Sequence, residues 1–265
     1  MTLAAMFAAV MLSFSACSTD DTTPTEDGTQ TEQPGNTEEP GNTEEPGNVC
    51  EECGEDPCVC PAIAIDGSFA DWDALDPSKV VEVTGNADAL YTALTKAKIY
   101  VDELCIYIYF EFDPDQITEG AAAFDIYLNE DNVAGDYDDY YVGQTAVDFL
   151  LEDGVFIEGG VMNSFNPGMF AYTLPADQAW AWGWSPVLDP DSGIGSGAGE
   201  GNKYELSIVK EMLMGAELAE TFSLGLMLTD IVGPDWNCVG VLPNAAVEGE
   251  NTNGKAAFVN VPNVQ

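Results

Sequence analysis

Residues 104–110 read LCIYIYF, and their side chains alternate with the two-residue period of a β-strand. Both faces are apolar, with Leu104, Ile106, Ile108 and Phe110 on one and Cys105, Tyr107 and Tyr109 on the other. A strand with one face in water normally carries polar side chains on that face. We therefore expect this strand to lie in the middle of a sheet, covered on both sides.

Similar runs rich in Val, Ile, Tyr and Phe recur along the chain between clusters of Gly, Asp, Asn and Pro. Short strands separated by turn residues are typical of an all-β sandwich or barrel. We expect one β-sandwich domain over 61–265, long enough for a single core, with a β-barrel as the alternative. Only 210–218, KEMLMGAEL, has helical character. The predicted strands are 62–66, 79–84, 96–102, 104–112, 123–129, 145–152, 154–161, 168–173, 179–185, 203–209, 221–229, 237–242 and 256–261.

The beginning of the chain has the composition of an export signal. Residues 1–16 are apolar, too short to span a bilayer comfortably, and end in small residues before Cys17. Ser15-Ala16-Cys17 resembles the lipobox of bacterial lipoproteins, in which the cysteine becomes the lipidated first residue. The acidic run that follows is similar to the surface-export signal of Bacteroidetes lipoproteins. The resemblance implies a lipid-anchored protein on the outer face of the outer membrane; the alternative is an ordinary signal and a secreted chain.

Residues 17–48 form a tether after the lipidated cysteine. Apart from Cys17 they are almost entirely Thr, Glu, Asp, Pro, Gly and Asn, and they contain the hexads TEQPGN, TEEPGN and TEEPGN at 31–48. A segment with so few apolar side chains cannot offset the entropy of ordering, so we expect it to be disordered. Its Pro and Glu residues favour extension, although low-complexity drift without a selected length explains the same pattern.

A cysteine cluster, VCEECGEDPCVC at 49–60, separates the tether from the domain. Two disulfides and a zinc tetrathiolate are both compatible with its spacing, C-x2-C-x4-C-x-C. An oxidising cell surface favours disulfides, whereas the close second pair is unusual for zinc. We leave both alternatives open for Cys50, Cys53, Cys58 and Cys60.

The charge of the chain excludes several classes of function. It has 47 Asp plus Glu, six Lys, no Arg and no His, which gives a formal charge of −41. Nucleic-acid binding needs clustered cations, which are absent here. Without histidine, Ser-His-Asp and Cys-His catalysis are also excluded. No spacing of carboxylates singles out an acid–base pair, so we expect a protein that is not an enzyme.

Several segments, taken in order, resemble the family-nine carbohydrate-binding modules and their DOMON-like relatives. Ile65-Asp66-Gly67 followed by Asp71-Trp72 looks like the opening of that group, and 96–115 is similar to its hairpin. The remaining matches are FDIYLNEDN at 124–132, YELSIVKEML at 204–213 and FSLGLMLTD at 222–230. The resemblance implies a jelly-roll-like β-sandwich. Trp72 itself we interpret as a core side chain.

The densest acidic segment, DIYLNEDNVAGDYDDYY at 125–141, is a candidate calcium site. Calcium takes six to eight oxygen ligands, and a glycine-containing acidic loop can supply them, although the spacing does not match an EF-hand. Family-nine modules hold structural calcium in acidic loops, and the alternative is a solvated acidic loop. The candidate ligands are Asp125, Asn129, Asp131, Asp136, Asp138 and Asp139.

Tryptophans supply the candidate ligand-binding surface. Trp180, Trp182 and Trp184 alternate with small residues, so in a strand their rings project from one face, either as core or as a partly exposed platform for sugar rings. The loop 186–201 is rich in glycine, and we expect it to be flexible. Trp236, in a loop near the last strands, is a further candidate. The tryptophan with which family-nine modules clamp a sugar is absent, because 120–123 reads GAAA.

We therefore expect a non-catalytic glycan-binding lipoprotein that captures polysaccharide for neighbouring uptake proteins, with calcium as a structural ion. The alternative is an adhesin or structural surface protein whose sandwich binds another protein. Fold resemblance alone does not decide between these functions.

Overall fold

The part of the chain that the structure describes contains thirteen strands, and the central strand expected from LCIYIYF is one of them. The computed structural model describes residues 61–133, 147–172, 183–244 and 258–264, all within one compact unit, Val49–Gln265. The strands are β1 (Val81–Thr84), β2 (Leu94–Val101), β3 (Cys105–Phe112), β4 (Ala122–Asn129), β5 (Phe149–Glu158), β6 (Val161–Met162), β7 (Gly168–Tyr172), β8 (Trp184–Leu188), β9 (Gly195–Glu200), β10 (Lys203–Val209), β11 (Thr221–Val232), β12 (Asp235–Leu242) and β13 (Val259–Pro262).

The strands form two antiparallel sheets packed as a sandwich. The smaller sheet has the order β1-β2-β3-β10-β9, so β3 is central as expected. The larger sheet has the order β12-β11-β4-β5-β7-β8, with β13 paired to β11 and β6 paired to β5. The all-β sandwich predicted from the sequence is confirmed.

Aromatic rings from both sheets fill the space between them. Phe110 of the smaller sheet stacks on Phe124 of the larger one, with ring centroids 4.3 Å apart and planes 4° from parallel. Phe156 and Tyr204 meet the Phe110 ring at 6.1 Å and 5.6 Å. All four side chains are fully buried, so this cluster holds the sheets face to face.

The segment before β1 covers the outer face of the smaller sheet, where Ile63 and Trp72 pack against Tyr107 and Tyr109. Helix α1 (Ala70–Ala74) carries Trp72, which is 4% exposed, in agreement with its predicted core role. Short 3-10 helices lie at Pro77–Lys79, Pro114–Gln116 and Lys210–Met212.

Glu205, a fully buried carboxylate on β10, holds this segment in place. Its Oε1 accepts hydrogen bonds from the backbone N–H groups of Asp66 at 3.0 Å and Gly67 at 2.7 Å. Its Oε2 accepts one from the Trp72 indole Nε1–H at 3.0 Å. We call this arrangement the Glu205 clasp. It joins two of the sequence segments that carried the family resemblance.

Several predicted elements differ from the structure. The segment 62–66 is not a strand, because its backbone N–H groups donate to the side chains of Asp71, Asp102 and Glu205 and its apolar side chains pack on the smaller sheet. The two strands predicted at 145–152 and 154–161 are one strand, β5, which continues through Gly154 with a register shift. The predicted helical stretch 210–218 contains only the 3-10 helix Lys210–Met212.

The segment 186–201, expected to be a flexible loop, contributes β8 and β9. Gly197 and Gly199 lie in β9. Both positions require glycine, because a Cβ atom at either one would collide with the Tyr204 ring. The glycines that suggested a loop are therefore required by packing.

Candidate functional site

The strongest candidate for ligand contact is the hairpin Ile231–Asn237, which we call the Trp236 hairpin. Trp236 is 50% exposed and lies directly opposite Ile231 on β11. The two loop residues are Gly233, with φ 60°, and Pro234. A glycine with positive φ at the first loop position and a proline at the second fit a type II′ turn. Trp236, predicted to lie in a loop, is thus the second residue of a strand.

Side chains and backbone below the Trp236 hairpin hold it in position. The Asp230 carboxylate is 3% exposed and accepts hydrogen bonds from the Thr118 N–H at 3.0 Å and the Thr118 hydroxyl at 2.6 Å. The Ile231 N–H donates to the Ala121 carbonyl at 2.9 Å. A ring carried on a fixed hairpin loses little conformational entropy when a ligand stacks on it.

Trp236 belongs to the outer face of the larger sheet. Met227, Thr229 and Ile231 share one face of β11 by alternation, and Met227 packs in the cluster on the outer side of that sheet. The register pairs Ile231 with Trp236, so the indole projects from the same face. Asp235 and Asn237 flank it in the strand and are exposed, and by alternation their side chains project from the opposite face.

Trp184 lies on this outer face but is buried, with 7% of its surface exposed. Its indole meets the rings of Tyr127 at 6.4 Å and Tyr172 at 5.2 Å, both edge to face. Of the two alternatives for this residue, the structure agrees with the inward one. Trp180 and Trp182 lie outside the described residues, so Trp236 is the exposed tryptophan of the described part of the chain.

The Trp236 hairpin lies at the opposite end of the sandwich from the first and last described segments. The Ala62 N–H donates to the Asp102 carboxylate at 3.4 Å. The Lys210 ammonium donates to the backbone carbonyls of Asp102 at 3.0 Å and Val264 at 2.7 Å. β11 begins beside this junction, since Thr221 pairs with Pro262. From Thr221 to Ile231 the strand spans about 34 Å at ~3.4 Å per residue.

The candidate calcium ligands fall into separate places. Asp125 is buried on the outer face of β4, and Asn129 lies at its end. Four residues of strand separate their Cα atoms by about 13 Å, so one ion cannot contact both side chains. Asp131 accepts the Val133 N–H at 2.8 Å in an exposed turn. Asp136, Asp138 and Asp139 lie outside the described residues.

Additional carboxylates gather at the turn after β4, and the sequence did not single them out. Asp148 accepts the Glu130 N–H at 2.9 Å, and the Glu130 carboxylate accepts the Glu217 N–H at 2.6 Å. Burial and, to a smaller degree, neighbouring negative charge raise the pKa of both Glu130 and Asp148. Among residues 61–133, 147–172, 183–244 and 258–264, no three metal-ligating side chains are placed to share an ion. Calcium binding stays a prediction.

Four partly buried carboxyls make the stability depend on pH. Burial is the largest cause that raises the pKa of Glu130, Asp148, Glu152 and Asp153 above the ordinary values of 4.5 for Glu and 3.8 for Asp. An acid whose pKa is raised in the folded state binds its proton more tightly in the folded protein than in the unfolded one. Its contribution to the free energy of unfolding is therefore lost as the pH rises through that pKa. We expect the free energy of unfolding to decrease from about pH 4.5 towards neutrality.

Urea unfolding between pH 4.5 and 8 measures this slope, and Glu152→Gln reduces it because the amide does not titrate. The exposed Glu200→Gln is the control and leaves the slope unchanged. A free energy of unfolding that increases over this range would contradict the expectation.

Comparison with known proteins adds no assignment. No protein-family model matches the chain, and no curated protein matches it. In the described ranges, every helix is too short or too polar to cross a membrane.

Proposed function

We propose that the protein is a non-catalytic glycan-binding lipoprotein of the cell surface. The observation that best supports this proposal is the half-exposed indole of Trp236. It lies on the outer face of the larger sheet, on a hairpin held by the hydrogen bonds of Asp230. A flat aromatic ring suits the C–H face of a sugar ring. The carboxylates of the domain supply hydrogen-bond acceptors for sugar hydroxyls.

The expected lipid anchor also supports a role in capture at the cell surface. Lipidation at Cys17, followed by an extended acidic tether, would place the domain at the cell surface with reach for a ligand. Capture for neighbouring uptake proteins is the role that this placement serves.

A single stacking residue sets the expected strength of binding. Fully burying a tryptophan removes about 200 Å² from water, so covering the exposed half contributes roughly 2.5 kcal/mol. Loss of translational and rotational freedom opposes this term, and the affinity for one sugar unit is therefore low. A polymer with many units raises the apparent affinity, which makes polysaccharide retardation the suitable assay.

Trp236→Ala tests the proposal. We expect the protein to be retarded in native gels that contain a soluble polysaccharide, and the variant to lose at least tenfold in apparent affinity. Met214→Ala is the matched control, because Met214 is 52% exposed and lies after Lys210–Met212, outside the strands of either sheet. Equal retardation of Trp236→Ala and the unmodified protein would contradict a role of this indole.

The rival function, adhesion to another protein, uses the same exposed residue. Tryptophan is a frequent hot spot of protein interfaces, and Trp236 has the exposure that such a contact needs. The two functions differ in the gel assay. Absence of retardation by every polysaccharide favours the protein partner.

A further inference from the structure

We infer that the glycan bound at the Trp236 hairpin carries no acidic groups. This inference rests on the proposed function and names the chemical class of its ligand. Three observations lead to it: the charge of the chain, the placement of its lysines, and the carboxylate of the Trp236 hairpin.

The chain has a formal charge of −41 and only six cationic side chains, all lysine. A polysaccharide with a carboxylate or sulfate on each unit brings a second dense row of negative charge. Proteins that bind such ligands place Arg or Lys against the anionic groups, since these side chains supply charge-assisted hydrogen bonds.

Every lysine in the described residues belongs to the smaller sheet or to a segment beside it: Lys79, Lys96, Lys98, Lys203 and Lys210. Lys96 pairs with Glu82 at 3.0 Å, and Lys98 lies 3.9 Å from Asp73. The Lys210 ammonium donates to two backbone carbonyls at the end of the sandwich opposite Trp236. The ammonium groups of Lys96, Lys98 and Lys210 are therefore occupied by contacts within the protein, whereas an acidic ligand needs ammonium groups that are available to it.

The strands of the larger sheet, by contrast, contain no cationic residue in their described lengths, β4 to β8 and β11 to β13. Asp235 is exposed in the Trp236 hairpin itself. At physiological salt, charges act over a screening length of about 8 Å. A ligand stacked on Trp236 therefore meets the negative charge of its hairpin, and the described strands of the larger sheet offer no compensating cation.

The test compares polymers that differ only in charge. The native-gel assay is run with amylose, mixed-linkage β-glucan, glucomannan and galactomannan, each alongside the same polymer after oxidation of its primary hydroxyls to carboxylates. We expect retardation by at least one neutral polymer, at least fivefold weaker retardation by its oxidised form in 20 mM salt, and a smaller difference in 500 mM salt, where repulsion is screened. The same gels run with Trp236→Ala identify the polymers whose retardation of the protein depends on the Trp236 hairpin.

The outcomes separate the inference from the proposed function. An oxidised polymer that retards the protein as strongly as its neutral parent at low salt, through Trp236, overturns the inference and leaves glycan binding in place. Absence of retardation by every polymer, neutral or oxidised, overturns the proposed function and the inference with it.

Discussion

Glu205→Ala lowers the free energy of unfolding by about 3 kcal/mol. The substitution leaves the N–H groups of Asp66 and Gly67 and the Trp72 indole N–H without their acceptor. A buried donor without an acceptor costs roughly 1–3 kcal/mol, and removal of the desolvated carboxylate offsets part of the sum. The measurement is urea unfolding followed by tryptophan fluorescence.

Two variants separate the clasp from a general effect of charge. Glu200→Ala removes an exposed carboxylate from the neighbouring strand and changes stability by less than about 0.5 kcal/mol. Trp72→Phe keeps an aromatic ring but removes the indole donor, and costs about 1 kcal/mol. A loss below 1 kcal/mol for Glu205→Ala would mean that the clasp does not stabilise the fold.

Phe110→Ala lowers the free energy of unfolding by about 4 kcal/mol. Its fully buried ring stacks on Phe124 at 4.3 Å and joins β3 of one sheet to β4 of the other. Truncation of a buried phenylalanine leaves a cavity and typically costs 3–5 kcal/mol. Urea unfolding measures the loss, and near-ultraviolet circular dichroism reports any loosening of the aromatic core.

The matched control for this substitution lies at the start of the same sequence stretch. Leu104, which alternation placed on the face of Phe110, is 45% exposed and precedes the strand, so Leu104→Ala changes stability by no more than about 0.5 kcal/mol. Similar losses for the two variants would contradict the central position of Phe110.

The strands that the sequence predicts well are those with periodicity on both faces or sharp turn residues at both ends. β3, β4 and β10 have bounds within one residue of the expectation. β9 was not predicted because its glycines suggested a loop. Gly197 and Gly199 leave room for the Tyr204 ring, a contact between strands that no local pattern contains. The segment 62–66 was wrongly predicted as a strand because its apolar side chains pack on a sheet without pairing to it.

The candidate site was less predictable than the fold. Trp184 and Trp236 are chemically identical in the sequence, yet Tyr127 and Tyr172 enclose the first while the second stays half exposed. The difference depends on which distant strands bring rings to the outer face. Likewise, the Glu130 N–H reaches the Asp148 carboxylate because β4 and β5 pair. A contact between these separate segments cannot be read from composition.

The Glu205 clasp also has a mechanical consequence for a protein pulled from its amino-terminal side. A force applied at residue 61 passes the bond from the Ala62 N–H to Asp102 and then reaches the bonds to Asp66, Gly67 and Trp72 before it reaches any strand ladder. Because all three bonds end on one carboxylate, they resist the load together. The first rupture under force is thus detachment of the covering segment, while β2, β3 and β10 remain joined.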